Sequence, residues 1–141
     1  MLSNIAIGAI LILLTTAIHA GGMSLAFRSI RNHATVAGPR LHLSRVFKVG
    51  RVVLIMYLSA IVEVLIWGAA YLAFDAIEGF EKAIYFSAVT FTTLGYGDVV
   101  LDGGRRLLSS LEAINGIIMF GWSTAVVIAA VQRVYPRQEA D

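Results

Sequence analysis

The chain has 141 residues, of which 58% are hydrophobic and 14% charged, and its formal net charge is +2. Soluble globular domains carry nearer about 25% charged residues, so this composition belongs in a membrane, and so small a net charge, with the arginines gathered at one place, excludes a nucleic-acid partner. There is no cysteine, hence neither a disulfide framework nor a thiolate metal site, and no internal repeat or low-complexity tract.

Residues 1–27 contain no formally charged side chain, and at about 1.5 Å per residue they can cross roughly 30 Å of hydrocarbon as a helix. A signal peptide is the competing reading. The segment lacks a basic start, however, and Ala17-Ile18-His19-Ala20 matches a small-residue cleavage site poorly, so it is read as an N-terminal transmembrane helix. Gly21, Gly22 and Ser24 would fray or kink its end or allow close helix packing. His19 is expected at a helix contact or near the interface, because no second histidine, cysteine or carboxylate stands at ligand spacing.

Residues 28–51 form a basic connector with Arg28, Arg31, Arg40, Arg45, Lys48 and Arg51, with His33 and His42, and without an acidic residue. Basic loops stay cytoplasmic, which puts the N-terminus outside. Gly38-Pro39 breaks the connector, after which Leu41, Leu43, Val46 and Phe47 alternate with basic residues. Two readings fit: a short amphipathic helix on the inner leaflet, its cations beside anionic membrane lipids, or a solvated linker leading into a basic helix start.

Residues 52–74 make the second span, with Glu63 near its middle. A carboxylate at that depth costs a few kcal/mol unless protonated, paired or turned toward protein. A hydrogen bond to a neighbouring helix is the reading adopted, with a proton-sensitive element as the alternative. Trp67 and Tyr71 suit the outer part of this helix. Asp75, Glu78 and Glu81 then mark an acidic outer loop that would concentrate cations. Residues 80–92 are an apolar run of roughly 20 Å as a helix, too short to span. Such a run fits a re-entrant helix surrounded by protein, its C-terminal end at the base of the loop after it and the negative end of its dipole aimed at a central cavity where a cation waits.

That loop is Thr92-Thr93-Leu94-Gly95-Tyr96-Gly97-Asp98. Two glycines one residue apart let the backbone alternate between right- and left-handed conformations, so that successive carbonyl oxygens can lie on one side. A column of oxygens can replace the water shell of a small cation. Four columns around an axis complete a ring at each level, and one copy per chain then requires four chains.

Thr93-Leu94-Gly95-Tyr96-Gly97 resembles the potassium-channel signature, with leucine where valine is commonest. The assignment rests on that resemblance, which covers roughly residues 51–132. It implies K+ held by the carbonyls of Thr93, Leu94, Gly95 and Tyr96 and by the Thr93 hydroxyl, with Gly97 and Asp98 at the outer mouth. It implies a homotetramer as well, with no organic cofactor and no enzymatic activity. Tyr85 and Phe86 fall where that family places an aromatic cuff, from which they would brace Tyr96. Val89 stands where some relatives carry a glutamate bonded to the outer-mouth aspartate, so how Asp98 is held is open.

Beyond the Asp102-Gly103-Gly104 turn, Arg105 and Arg106 precede a third span over residues 107–132, and residues 133–141 with Arg133 and Arg137 form a short inner tail. By the resemblance Gly116 lies near the inner-helix hinge glycine, and Gly121 is a second candidate. Close helix packing is the competing role for either. Helical spacing places Ile117, Phe120, Thr124 and Ile128 on one stripe, with Ala125 beside it, as candidates for the cavity and inner gate. Glu112 is a second intramembrane carboxylate, expected behind the filter, and whether it or Glu63 pairs with Asn115, Trp122 or Ser123 is open.

The expected architecture is therefore an all-α membrane protein of three transmembrane helices with a re-entrant pore helix and filter, forming a tetrameric potassium-channel pore. No span carries arginines at every third position, as a voltage sensor would. A folded ligand-binding domain is not expected after Pro136, and a prokaryotic plasma membrane is the expected location. The alternatives are a nonconducting membrane adaptor and a protein related to pore-loop potassium transporters, although the latter would carry four such loops in one chain.

Overall fold

A computed structural model describes residues 2–31 and 40–135. Four helices come in order, α1 (Leu2–Arg31), α2 (Arg40–Ala73), α3 (Phe80–Phe91) and α4 (Arg106–Val134), and no strand occurs among the described residues. By length and composition α1, α2 and α4 can each cross a membrane. At 12 residues, or about 18 Å, α3 cannot. The His33 and Arg137 sites and the Gly38-Pro39 break lie outside the described residues, as do residues 136–141 and the side chains of Arg31, Arg40, Leu41 and His42.

The helices outrun the expected spans. α1 continues past Phe27 to Arg31, and α4 covers one residue more at its start and two more at its end than residues 107–132. The larger difference is in α2. Its 34 residues, about 51 Å, run from Arg40 into the span without a break, so residues 40–51 form the basic start of that helix and are not a separate surface helix. The reason is local: after Pro39 this stretch offers no further proline, and polar or basic residues are compatible with helix wherever water can reach them.

Two apolar clusters hold the helices together. In one, Phe86 and Phe91 of the short helix α3 pack among Trp67 and Tyr71 of α2 and Leu108 and Met119 of α4. In the other, Ala26 and Ile30 of α1 meet Val52 and Met56 of α2 and Val126 and Ala130 of α4.

Between the clusters lies a polar belt that ties α1 to both long neighbours. Asn115 Nδ2 donates to Thr15 Oγ1 at 2.9 Å, and Thr15 in turn donates to the Leu11 carbonyl at 2.8 Å. One turn further along α1, His19 Nδ1 lies 2.8 Å from Glu63 Oε1 and its Nε2 lies 3.3 Å from Ser123 Oγ. His19 and Glu63 are both fully buried. The expectation that His19 makes a helix contact is met, but by a carboxylate 44 positions away, which spacing along the chain does not reveal. Nearer the N-terminal end of α1, Asn4 Nδ2 donates to the Gly104 carbonyl. Small residues permit the approach: a Cβ on Gly22 would fall 2.1 Å from Ser59 Oγ.

Removing one member of a buried pair strands the other. His19→Leu is therefore expected to destabilise the fold by about 3–5 kcal/mol, seen as a lower Tm of the detergent-solubilised protein, and Glu63→Leu in the same chain should restore most of the loss. A single variant melting with the parent would show that the pair contributes nothing.

Candidate functional site

The seven-residue run begins where α3 ends, and the helix end shapes it. Thr92 caps the helix, its N–H and Oγ1 both donating to the Ala88 carbonyl, at 3.1 and 2.7 Å. Thr93 N–H donates to the Thr90 carbonyl at 2.9 Å, while Leu94 and Gly95 N–H share the Val89 carbonyl at 3.0 and 3.2 Å. Four successive N–H groups thus fold back onto carbonyls that a helix end leaves open.

The run then alternates in handedness. Thr93, Gly95 and Gly97 have φ of +59°, +55° and +80°, while Leu94 and Tyr96 between them are not left-handed. The glycines adopt this conformation without strain. Thr93 is β-branched and does so at about 1–3 kcal/mol, a strain that persists only where surrounding structure imposes it. This is the alternation that the spacing of the glycines predicts for a backbone able to turn successive carbonyls one way. Leu94 and Tyr96 are exposed in the isolated chain, and a cleft of about 550 Å³, lined among others by Tyr85, Val89, Thr93 and Asp98, runs beside the loop.

The two expected aromatic supports separate. Adjacent residues on a helix point about 100° apart: Phe86 turns into the core, edge-on to Tyr71 with ring centroids 5.1 Å apart, while Tyr85 faces the loop. The Tyr85 hydroxyl donates to Asp98 Oδ2 at 2.7 Å, which answers how Asp98 is held when Val89 offers nothing. That hydrogen bond, together with the nearby carboxylate charge, raises the Tyr85 phenol above its usual range. The phenol therefore keeps the hydrogen it donates at neutral pH and loses it only as pH rises through the raised value.

Behind the loop, Glu112 of α4 is fully buried and meets Tyr71 Oη of α2 at Oε2 and Ser87 Oγ of α3 at Oε1, both at 2.5 Å. Ser87 Oγ also lies 2.8 Å from the Val64 carbonyl of α2. Neither Tyr71 nor Ser87 carried any chemical expectation from the sequence. A hydroxyl one turn before a loop, with a carboxylate on the next span, is the pattern that would have singled them out. Of the pairings left open, Asn115 goes to Thr15 and Ser123 to His19, while Trp122 stands 6.1 Å from the His19 ring, centroid to centroid.

On α4, Gly116 and Gly121 differ sharply. A Cβ at Gly116 would fall 1.9 Å from the Phe91 carbonyl oxygen, whereas one at Gly121 would meet nothing within 4 Å. Gly116 therefore has a packing role at the contact between α4 and the end of α3. Ile117, Phe120, Thr124 and Ile128 share the exposed side of α4, with Ala125 also exposed, and Phe120 sets its ring edge-on to Phe91 at 5.8 Å.

A family model described as an ion channel matches residues 59–133, more than half of the chain, from within α2 almost to the end of α4. The delayed-rectifier potassium channel regulatory subunit KCNS1 of Mus musculus is 33% identical over 92 residues, covering 62% of this chain and 18% of that protein. The chain thus spans less than a fifth of the length of this curated relative. No solved structure matches it.

The two glycines give opposite expectations. Gly116→Ala drives a methyl into backbone and should destabilise the fold by about 1–3 kcal/mol, whereas Gly121→Ala has room and should stabilise α4 by up to about 1 kcal/mol. Thermal melts of the two variants in detergent check both signs.

Proposed function

Because this chain belongs to the ion channel family whose model it matches, we propose that it is a subunit of a potassium-selective channel formed by four copies around one axis. The observation that carries this reading is the left-handed backbone at Thr93, Gly95 and Gly97, within a run that resembles the potassium-channel signature. The carbonyls of Thr93, Leu94, Gly95 and Tyr96, with the Thr93 hydroxyl, take the place of water around K+. Asp98, held by Tyr85, sits at the outer mouth. Conduction is passive, driven by the electrochemical gradient, and repulsion between ions in adjacent sites speeds throughput.

The stripe Ile117, Phe120, Thr124 and Ile128 lines the cavity below the filter, where a mostly apolar constriction can close by dewetting. The N-terminus lies outside and the basic start of α2 inside, near anionic headgroups of a prokaryotic plasma membrane. A second reading has one specific observation behind it: the curated relative is named a regulatory subunit. On that reading the chain is a nonconducting partner in a channel assembly.

Purified protein in liposomes separates the two. The channel reading expects K+ uptake down a gradient without ATP or a coupling ion, and loss of preference for K+ over Na+ in Gly95→Ala and Tyr96→Ala while the protein stays folded. Variants as selective as the parent would remove the filter assignment. Tyr85→Phe, which deletes the bond to Asp98 and little else, should leave initial selectivity intact and hasten the decay of sustained current, as single-channel recordings can follow.

A further inference from the structure

Counting hydrogens around Glu112 gives its protonation state. Ser87 Oγ lies within hydrogen-bond reach of two oxygens, the Val64 carbonyl at 2.8 Å and Glu112 Oε1 at 2.5 Å. A serine has one hydrogen to donate. The Val64 oxygen belongs to a backbone carbonyl and can only accept, so the serine hydrogen must go there for that contact to be attractive. Glu112 Oε1 then has to supply the hydrogen for its own short contact with Ser87. An ionised Glu112 taking the serine hydrogen instead would leave Ser87 Oγ and Val64 O 2.8 Å apart with nothing between them.

The surroundings agree with the count. Glu112 has no accessible surface, and among the described residues the ion pair present is His19 with Glu63, so no Lys, Arg or His neutralises Glu112. A charge buried without a counter-ion is costly at membrane depth, whereas a neutral acid with both oxygens hydrogen-bonded is not.

We propose that Glu112 is a neutral carboxylic acid whose Oε1–H donates to Ser87, and that it acts as a positioning residue for the filter by pinning α3 between α2 and α4. The donor chain closes without a spare hydrogen: Tyr71 O–H to Glu112 Oε2, Glu112 Oε1–H to Ser87 Oγ, Ser87 O–H to the Val64 carbonyl. Ser87 stands one turn before Phe91, whose carbonyl abuts Gly116, so the acid and the glycine contact together fix where α3 ends and the loop begins. The effect on selectivity rests on the channel reading, whereas the protonation state does not.

The test uses the full chain in liposomes at neutral pH. The infrared spectrum of the parent minus that of Glu112→Gln is expected to show the C=O stretch of a protonated carboxyl. Ser87→Ala should shift that stretch to higher frequency by removing its hydrogen-bond acceptor. In flux measurements Glu112→Gln, whose amide donates to Ser87 and accepts from Tyr71, should keep K+ over Na+ selectivity within about twofold of the parent. Glu112→Leu leaves both hydroxyls unmatched and should lose about tenfold or more. Carboxylate bands in place of the protonated stretch would overturn the proposal, and so would a folded Glu112→Gln as unselective as Glu112→Leu. If the parent itself does not select K+, the channel reading falls, and the infrared difference alone decides the protonation.

Discussion

Non-helical backbone cannot stand in hydrocarbon unless protein surrounds it, and the fold is arranged around that constraint. Residues 93–97 leave the helical hydrogen-bonding pattern at the end of a helix too short to span. The first N–H groups of the loop are returned to carbonyls of α3, and that helix is itself packed against both α2 and α4. The loop itself, exposed from Thr92 to Asp98 in the single chain, is what three further copies enclose on the proposed reading. Strain at Thr93 becomes tolerable because the contacts on either side, capped carbonyls below and the Tyr85–Asp98 bond above, leave the loop few other conformations.

Polar groups buried in this bundle work as cross-links between helices. Glu112 touches one hydroxyl from α2 and one from α3; His19 touches a carboxylate from α2 and a hydroxyl from α4; Asn115 reaches α1. Each group joins three elements or extends a contact between two. Dispersion alone discriminates poorly among helix registers in a membrane, since lipid tails are as apolar as leucine. Bonds between particular side chains discriminate strongly, because a register slipped by one residue strands them.

α1 lies outside the region matched by the ion-channel family model, yet it is not an appendage. It bonds to α4 at Asn115, immediately before Gly116, and again at Ser123, just beyond Gly121. α4 is therefore tied to α1 on both sides of the two glycines. Bending of α4 between those ties must either carry α1 with it or break the weaker contact, the 3.3 Å one at Ser123.

Much of this architecture is legible in the linear chain, for reasons of scale. Three spans, one half-length run and the loop between them can be read from hydropathy and length, because the thickness of a bilayer fixes the length of every element. The alternation at the loop comes from two glycines one residue apart, since that spacing makes left-handed backbone easy there. The two buried carboxylates stand out in the sequence as anomalies, but their partners do not. His19 and Glu63 are 44 positions apart, Ser87 and Glu112 are 25 and Thr15 and Asn115 are 100. Local pattern carries no information at such separations. Only the packed bundle reveals that Gly116 serves close packing, that Tyr85 rather than Phe86 serves the loop, and that the basic residues from Arg40 onward begin α2. Each of those depends on which way a helix is rotated and how closely its neighbour approaches, and those quantities are set by side chains on other helices.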